Sequence, residues 1–307
     1  MNEINLLAAL EKFEQQLQPS LLTRVCDPFL QQRKIELWIK RDDLLHPIIS
    51  GNKWRKLKFV LQHTLLNEKN SIVTMGGQFS NHLHALAYIG KVLDISTSAF
   101  VRGERPESLS PTLKDCHEWG MQLKFIARSA YRELRDVRKL PMQQINEYWL
   151  PEGGAVKYAL QGVAKIIEEI DISYDVLCVP CGTATTLAGL VATAPDQKIV
   201  VGFAALKGRG FLEQNVDQLL AGNIMSNCSW VINHDYYFGG FAKTRPELIN
   251  FISFFQQQTG IELEPVYTGK MLYGIYDLVK QGFFKTGQRI IAIHTGGLQG
   301  NRGFVNG

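Results

Sequence analysis

Strand-length apolar runs alternate with amphipathic, helix-length segments along most of the chain. Ile35 to Lys40, Ser71 to Met75, Ser98 to Val101, Val176 to Val179, Ile199 to Phe203 and Arg289 to His294 read as strands. Residues 56–67, 82–92, a stretch from Thr186 and Leu272 to Lys280 read as helices. This β-then-α alternation predicts an α/β fold of mostly parallel sheets with helices on both faces. In such sheets ligands gather where strands end at their carboxyl edges. Three small, polar clusters fall there: Gly76 to His82, Cys181 to Thr186, and Thr295 to Gly297.

With 307 residues the chain has room for one large domain or two smaller ones with a cleft. Its net charge of +4 is small and dispersed, which argues against nucleic acid or an anionic membrane as partner. No apolar stretch approaches the length of a membrane helix. The start Met1-Asn2-Glu3-Ile4-Asn5 lacks a signal-peptide pattern, and five scattered cysteines suit reduced thiols. A cytoplasmic location is the expectation.

The segment Ser50-Gly51-Asn52-Lys53-Trp54-Arg55-Lys56-Leu57 carries the most chemistry. Lys53 and Lys56 stand three apart and share one helix face. That spacing suits a lysine forming a Schiff base with an aldehyde cofactor while the second cation holds the cofactor's phosphate, as pyridoxal 5'-phosphate (PLP) requires. Taken alone, the segment also reads as a solvated basic helix start. Gly182-Thr183-Ala184-Thr185-Thr186, between a strand and a helix, makes a ready anion site or an ordinary capped turn. Cys178 and Cys181 match a CxxC pattern, but they sit in a strand and its turn rather than opening a helix, so redox chemistry is not expected. Ser80 and Asn81 open a helix, as caps or as ligands of a carboxylate and a ring hydroxyl. His82 and His84 form an H-x-H pair without further ligands at metal-site spacing, so no metal is expected. Tyr267 and Thr268 lie in a turn before a helix, another site-like place, with a core tyrosine as the plain alternative.

Together these motifs resemble the fold-type II PLP enzymes, in the branch of 1-aminocyclopropane-1-carboxylate (ACC) deaminase and D-cysteine desulfhydrase. The resemblance runs from Lys40-Arg41-Asp42-Asp43-Leu44 to His294-Thr295-Gly296-Gly297 with the motifs in the family's order. It implies a two-domain, tryptophan synthase β-subunit-like α/β fold. The large PLP-binding domain would comprise 1–55 and 150–307, and the small domain 56–149. It implies Lys53 as Schiff-base lysine and Lys56 as phosphate ligand, with Gly182, Thr183, Ala184, Thr185 and Thr186 as the phosphate cup. Ser80, Asn81 and His82 would meet substrate, Asn81 also the ring hydroxyl, while Tyr267 would pack on the ring and Thr268 would meet its nitrogen. ACC deaminase-like members carry Glu where Thr268 stands here. A threonine shares only a neutral hydrogen bond, which favours elimination of a good leaving group over ACC ring opening. A second family tyrosine falls on Phe241, with Tyr236 or Tyr237 as substitutes for its hydroxyl. Ala184 and Thr185 stand where relatives often use Gly, Trp54 replaces a smaller residue beside Lys53, and both changes suggest a reshaped site. The expected activity is α,β-elimination on a small amino acid, D-cysteine first. ACC deamination is the alternative, and a PLP-binding protein with little catalysis the rival of another class. A homodimer is the base-rate expectation.

Overall fold

The computed structural model describes residues 3–141, 144–221 and 228–304. Ten strands form two sheets among these residues: β1 (Leu22–Arg24), β2 (Glu36–Lys40), β3 (Ser71–Gly76), β4 (Ser96–Arg102), β5 (Gln122–Ile126), β6 (Glu147–Leu150), β7 (Val176–Cys181), β8 (Ile199–Ala204), β9 (Ser229–Asn233) and β10 (Arg289–Ile293). The larger sheet has the order β1-β2-β10-β7-β8-β9, and the smaller β5-β4-β3-β6. Every pairing is parallel except β1 with β2.

Parallel order follows from burial on both faces. All six residues of β7 are buried, and Ile290, Ile291 and Ile293 of β10 are fully so. Each such side chain contributes about 1.5–3 kcal/mol relative to exposure. β2 and β10 run side by side from Glu36↔Arg289 to Lys40↔Ile293, and β10 meets β7 on its other edge. Their carboxyl ends therefore open at one place, followed by Arg41, His294 and Gly182.

The helix Asn52–Leu66 links the two sheets. Its Trp54, Leu57 and Leu61 share a core with Ile72, Leu83 and Leu86 beside the smaller sheet. Leu6, Leu10 and Phe13 of the helix Glu3–Glu14 join the same core. Trp54, expected to reshape the site, is instead 3% exposed and packs on Phe13 with ring centroids 4.9 Å apart. On a helix, a residue next to Lys53 is turned by about 100°, so Trp54 faces the core.

Candidate active site

The turn carrying Lys53 is fixed from three sides. Gly51 has φ +66°, and a Cβ there would lie 1.9 Å from the Thr295 carbonyl oxygen, so only glycine fits. Its N–H donates to Asp42 O at 2.7 Å, and Asn52 N–H donates to Thr295 O at 3.3 Å. The helix begins at Asn52, four residues before the periodicity suggested, placing Lys53 inside its first turn. No side chain caps that start, so the usual sequence signal is missing. Asn52 Nδ2 donates to Thr186 Oγ1 at 2.8 Å, and Lys53 Nζ donates to Asn52 Oδ1 at 2.5 Å. Burial lowers the Lys53 amine to about 8, against the opposing pull of the Glu264 carboxylate. That leaves about a tenth of the amine neutral near pH 7, far more than an ordinary lysine offers, and the neutral form is the one that attacks an aldehyde.

Lys56 is buried and donates to Gly153 O at 2.7 Å. Burial first, then the neighbouring Lys53, holds its amine well below the ordinary lysine value. A Cβ on Gly153 would sit 2.8 Å from Thr183 Cγ2, so Lys56 and the 182–186 loop meet there. The loop opens the helix Thr185–Thr193, which no side chain caps, leaving N–H groups for an anion. Thr183 and Thr185 hydroxyls lie 3.0 Å apart at the same turn. Ala184 takes the left-handed conformation, φ +59°, where a glycine would be easier. Both cysteines of the CxxC pattern lie buried within β7, and burial pushes each thiol up.

Ser80 caps the helix Asn81–Leu93 by accepting Leu83 N–H at 3.3 Å, which leaves its own proton free to donate. Asn81 lies against Gly297, where a Cβ would fall 2.6 Å from its Nδ2. Its Oδ1 accepts from Gln299 Nε2 at 2.5 Å, which leaves Nδ2, beside Gly297, as the side chain's free donor. Gln299 is a residue the sequence reading missed, because its contact to Asn81 spans 218 positions. His82 is buried, with Nε2 2.9 Å from Thr74 Oγ1. Thr74 gives its proton to Leu150 O, so His82 must donate from Nε2. Burial, then Lys56 and Lys53, lowers His82 to about 3, and it stays neutral. His84 turns elsewhere, to Asp115 at 3.0 Å, so the H-x-H pair does not converge.

The fourth wall is the turn before the helix Thr268–Gln281. Tyr267 covers Gly182, whose absent Cβ would lie 3.1 Å from its ring. Burial and the Glu264 charge push the phenol up, keeping it protonated. Phe241 meets Tyr267 edge-on with centroids 6.0 Å apart. Tyr236 cannot replace the lost hydroxyl, since it is buried and donates to Asp277 Oδ2 at 2.9 Å. Thr268 is fully buried and bonded to Glu264, a residue with no sequence signal beyond its place four positions earlier. Lys270 donates to Tyr237 O and Gly240 O and so holds the loop bearing Phe241.

Two amines with lowered proton affinity, an uncapped helix start, and polar side chains on the remaining walls make a donor set that fits a phosphorylated aldehyde with a flat ring. Lys53 and Lys56 with the 182–186 loop can hold such a group.

Comparisons with known proteins agree with this donor set. The family model described as pyridoxal-phosphate dependent enzyme matches residues 23–296. The Arabidopsis thaliana bifunctional D-cysteine desulfhydrase/1-aminocyclopropane-1-carboxylate deaminase, mitochondrial by name, is 29% identical over 293 residues, 86% of this chain and 73% of that protein. The D-cysteine desulfhydrase of Salmonella paratyphi A is 26% identical over 292 residues, 85% of this chain and 87% of that one. The crystal structure of an ACC deaminase homologue superposes with a TM-score of 0.75 at 25% identity, over 96% of this chain and 95% of that chain. The architecture is that of fold type II, and no helix among the described residues is long and apolar enough to cross a membrane. The chain belongs to the pyridoxal-phosphate dependent enzymes, with pyridoxal phosphate as its cofactor.

Proposed function

We propose that this enzyme is a lyase performing α,β-elimination on a small amino acid, D-cysteine first, which loses sulfide and is then hydrolysed by one water to pyruvate and ammonia. The bound cofactor supplies a Schiff-base link to the substrate amine and withdraws electrons from its Cα. Lys53 would be the base that takes the Cα proton. Lys56 and the loop 182–186 hold the phosphate, Ser80 donates to the substrate carboxylate, and Asn81 donates from Nδ2 to the ring hydroxyl. His82 stays neutral behind Lys56, a supporting group rather than a charged ligand. Tyr267, kept protonated, is placed to hand a proton to the departing sulfur. In this reading each sheet is the centre of one domain, and the helix Glu3–Glu14, expected in the large domain, packs in the core beside the smaller sheet.

The observation that carries this reading is Phe241 against Tyr267. ACC has no Cα hydrogen, so its ring must be opened by attack or deprotonation at a ring carbon. That chemistry asks for a further acid–base group, and Phe241 offers a ring without a hydroxyl. Loss of one such group costs about 10²–10⁴ in rate. ACC deamination remains the second reading because the Arabidopsis relative is named for both reactions.

The test is an assay of PLP-loaded protein with D-cysteine and with ACC, identifying the 2-oxo acid. Pyruvate from D-cysteine at a rate at least about 10²-fold above 2-oxobutyrate from ACC is the expected result. Comparable 2-oxobutyrate release would favour the second reading. Silence on both substrates would leave the PLP-binding role with little catalysis.

A further inference from the structure

The environment of Thr268 is not that of a neutral threonine. Glu264, 2% exposed, takes Tyr267 N–H at 2.8 Å and Thr268 N–H at 2.6 Å on Oε1, and Val266 N–H at 2.7 Å on Oε2. The Thr268 hydroxyl donates its proton to the same Oε1 at 3.1 Å and accepts Glu264 N–H at 3.2 Å. A hydroxyl has one proton and two lone pairs, so Thr268 has a single lone pair left to offer. Facing a ring nitrogen, it can accept an N–H but has nothing to donate. A neutral pyridine nitrogen would instead set lone pair against lone pair. Turning the hydroxyl away would exchange a charge-assisted bond to a carboxylate for a neutral one, which is the weaker bond.

We infer that Glu264 and Thr268 together hold the cofactor's ring nitrogen in its protonated form, Thr268 relaying the charge that Glu264 carries. The inference rests on the reading above that Thr268 faces that nitrogen. It moves the missing carboxylate four positions back in sequence and one hydrogen bond back in space. Glu264 is thus a positioning residue, acting through Thr268. The charged or titratable groups facing it are the Lys53 and Lys270 amines and the Tyr267 phenol. Burial raises the Glu264 carboxyl; the three backbone N–H groups and the Thr268 hydroxyl oppose that rise without cancelling it, filling Oε1 and leaving Oε2 with one bond, from Val266 N–H. A protonated Glu264 would reverse the relay, letting Thr268 donate to a neutral ring.

The consequence concerns substrate range. A protonated ring is the stronger electron sink, so Thr268 by itself does not argue against ACC. Discrimination between the two substrates then falls on Phe241 and Tyr267.

The test uses holoenzyme reconstituted with PLP carrying ¹⁵N in the ring, with the nitrogen shift recorded against pH for the natural protein, Glu264→Gln and Thr268→Val. The natural protein is expected at the protonated position through neutral pH. Both variants should move to the neutral position, the nitrogen losing its proton at least about one pH unit earlier. A neutral nitrogen in the natural protein overturns the inference without any need for a variant. A protonated nitrogen unchanged in Glu264→Gln and Thr268→Val also overturns it. Borohydride reduction and peptide mass mapping are run on each sample. A cofactor label on Lys53 with a neutral nitrogen leaves the enzyme reading intact, whereas a label absent from Lys53 overturns both.

Discussion

Lys53→Ala is expected to lower turnover by at least about 10³-fold, because one change removes both the covalent anchor and the base. Lys56 offers no rescue. Its amine donates to Gly153 O and stands at the loop 182–186, with Lys53 the one at the end of β10. The folded chain should survive, since Lys53 makes one side-chain hydrogen bond, to the adjacent Asn52. Urea unfolding of the variant should therefore match the parent within about 1 kcal/mol. The pH dependence follows from the lowered amine. Burial favours the neutral form, so cofactor capture by the cofactor-free chain should accelerate as pH rises and level off above about 8. An ordinary exposed lysine would keep accelerating toward about 10.4. Full turnover in Lys53→Ala, or capture still rising steeply above pH 9, would remove Lys53 from its role.

The strands that carry the site were legible because they are buried on both sides. Val176 to Val179 and Ile290 to Ile293 are unbroken apolar runs, and the observed strands begin where those runs begin or within a residue or two. β5 and β9 were missed for the opposite reason: each lies at a sheet edge with exposed positions, and a five-residue stretch such as Gln122-Leu123-Lys124-Phe125-Ile126 is too short and too polar to stand out as an apolar run. β1 has three residues and pairs antiparallel at an edge, too short for periodicity to register.

The site was legible in its local turns and opaque in its long-range partners. Lys53, Ser80 and the 182–186 loop each stand at a strand–turn–helix junction, which composition reveals. Trp54 could not be oriented until the helix was known to start at Asn52, and then its direction was fixed. The two residues that govern the ligands' polarity were invisible for a physical reason. Gln299 acts on Asn81 from the far end of the chain, and Glu264 acts through a hydroxyl whose proton direction depends on packing. Thr268 was read as neutral because sequence gives the side chain and not its partner.

Arg55→Met is expected to be the most destabilising single change near the site, by about 3–5 kcal/mol. Arg55 is 6% exposed and forks between two carboxylates that are distant in sequence. It donates to Asp42 at 3.0 and 3.2 Å, and to both oxygens of Glu169. Lys40, fully buried, adds a bond to Glu169 at 2.8 Å and one to Ser20 O at 2.6 Å. Methionine fills the volume but leaves the buried Asp42 carboxylate with one side-chain donor, the Ser20 hydroxyl at 2.6 Å. An unpaired buried charge costs more than the pair contributes, so Arg55→Met with Asp42→Leu should recover much of the loss. Asp42 O also receives Gly51 N–H, so the single variant should lose turnover along with stability. The acid limb checks the electrostatics separately. Burial alone would raise the Glu169 carboxyl, but Arg55 and Lys40 overcome it and leave it below its ordinary value. Its contribution is therefore present above the unfolded carboxylate pKa of about 4.3 and is lost as pH falls through the lower folded value. The gap in urea midpoint between parent and Arg55→Met should narrow below about pH 4.3. A gap that stays constant down to pH 3 would mean that Arg55 acts through packing of its stem, with its charge contributing little.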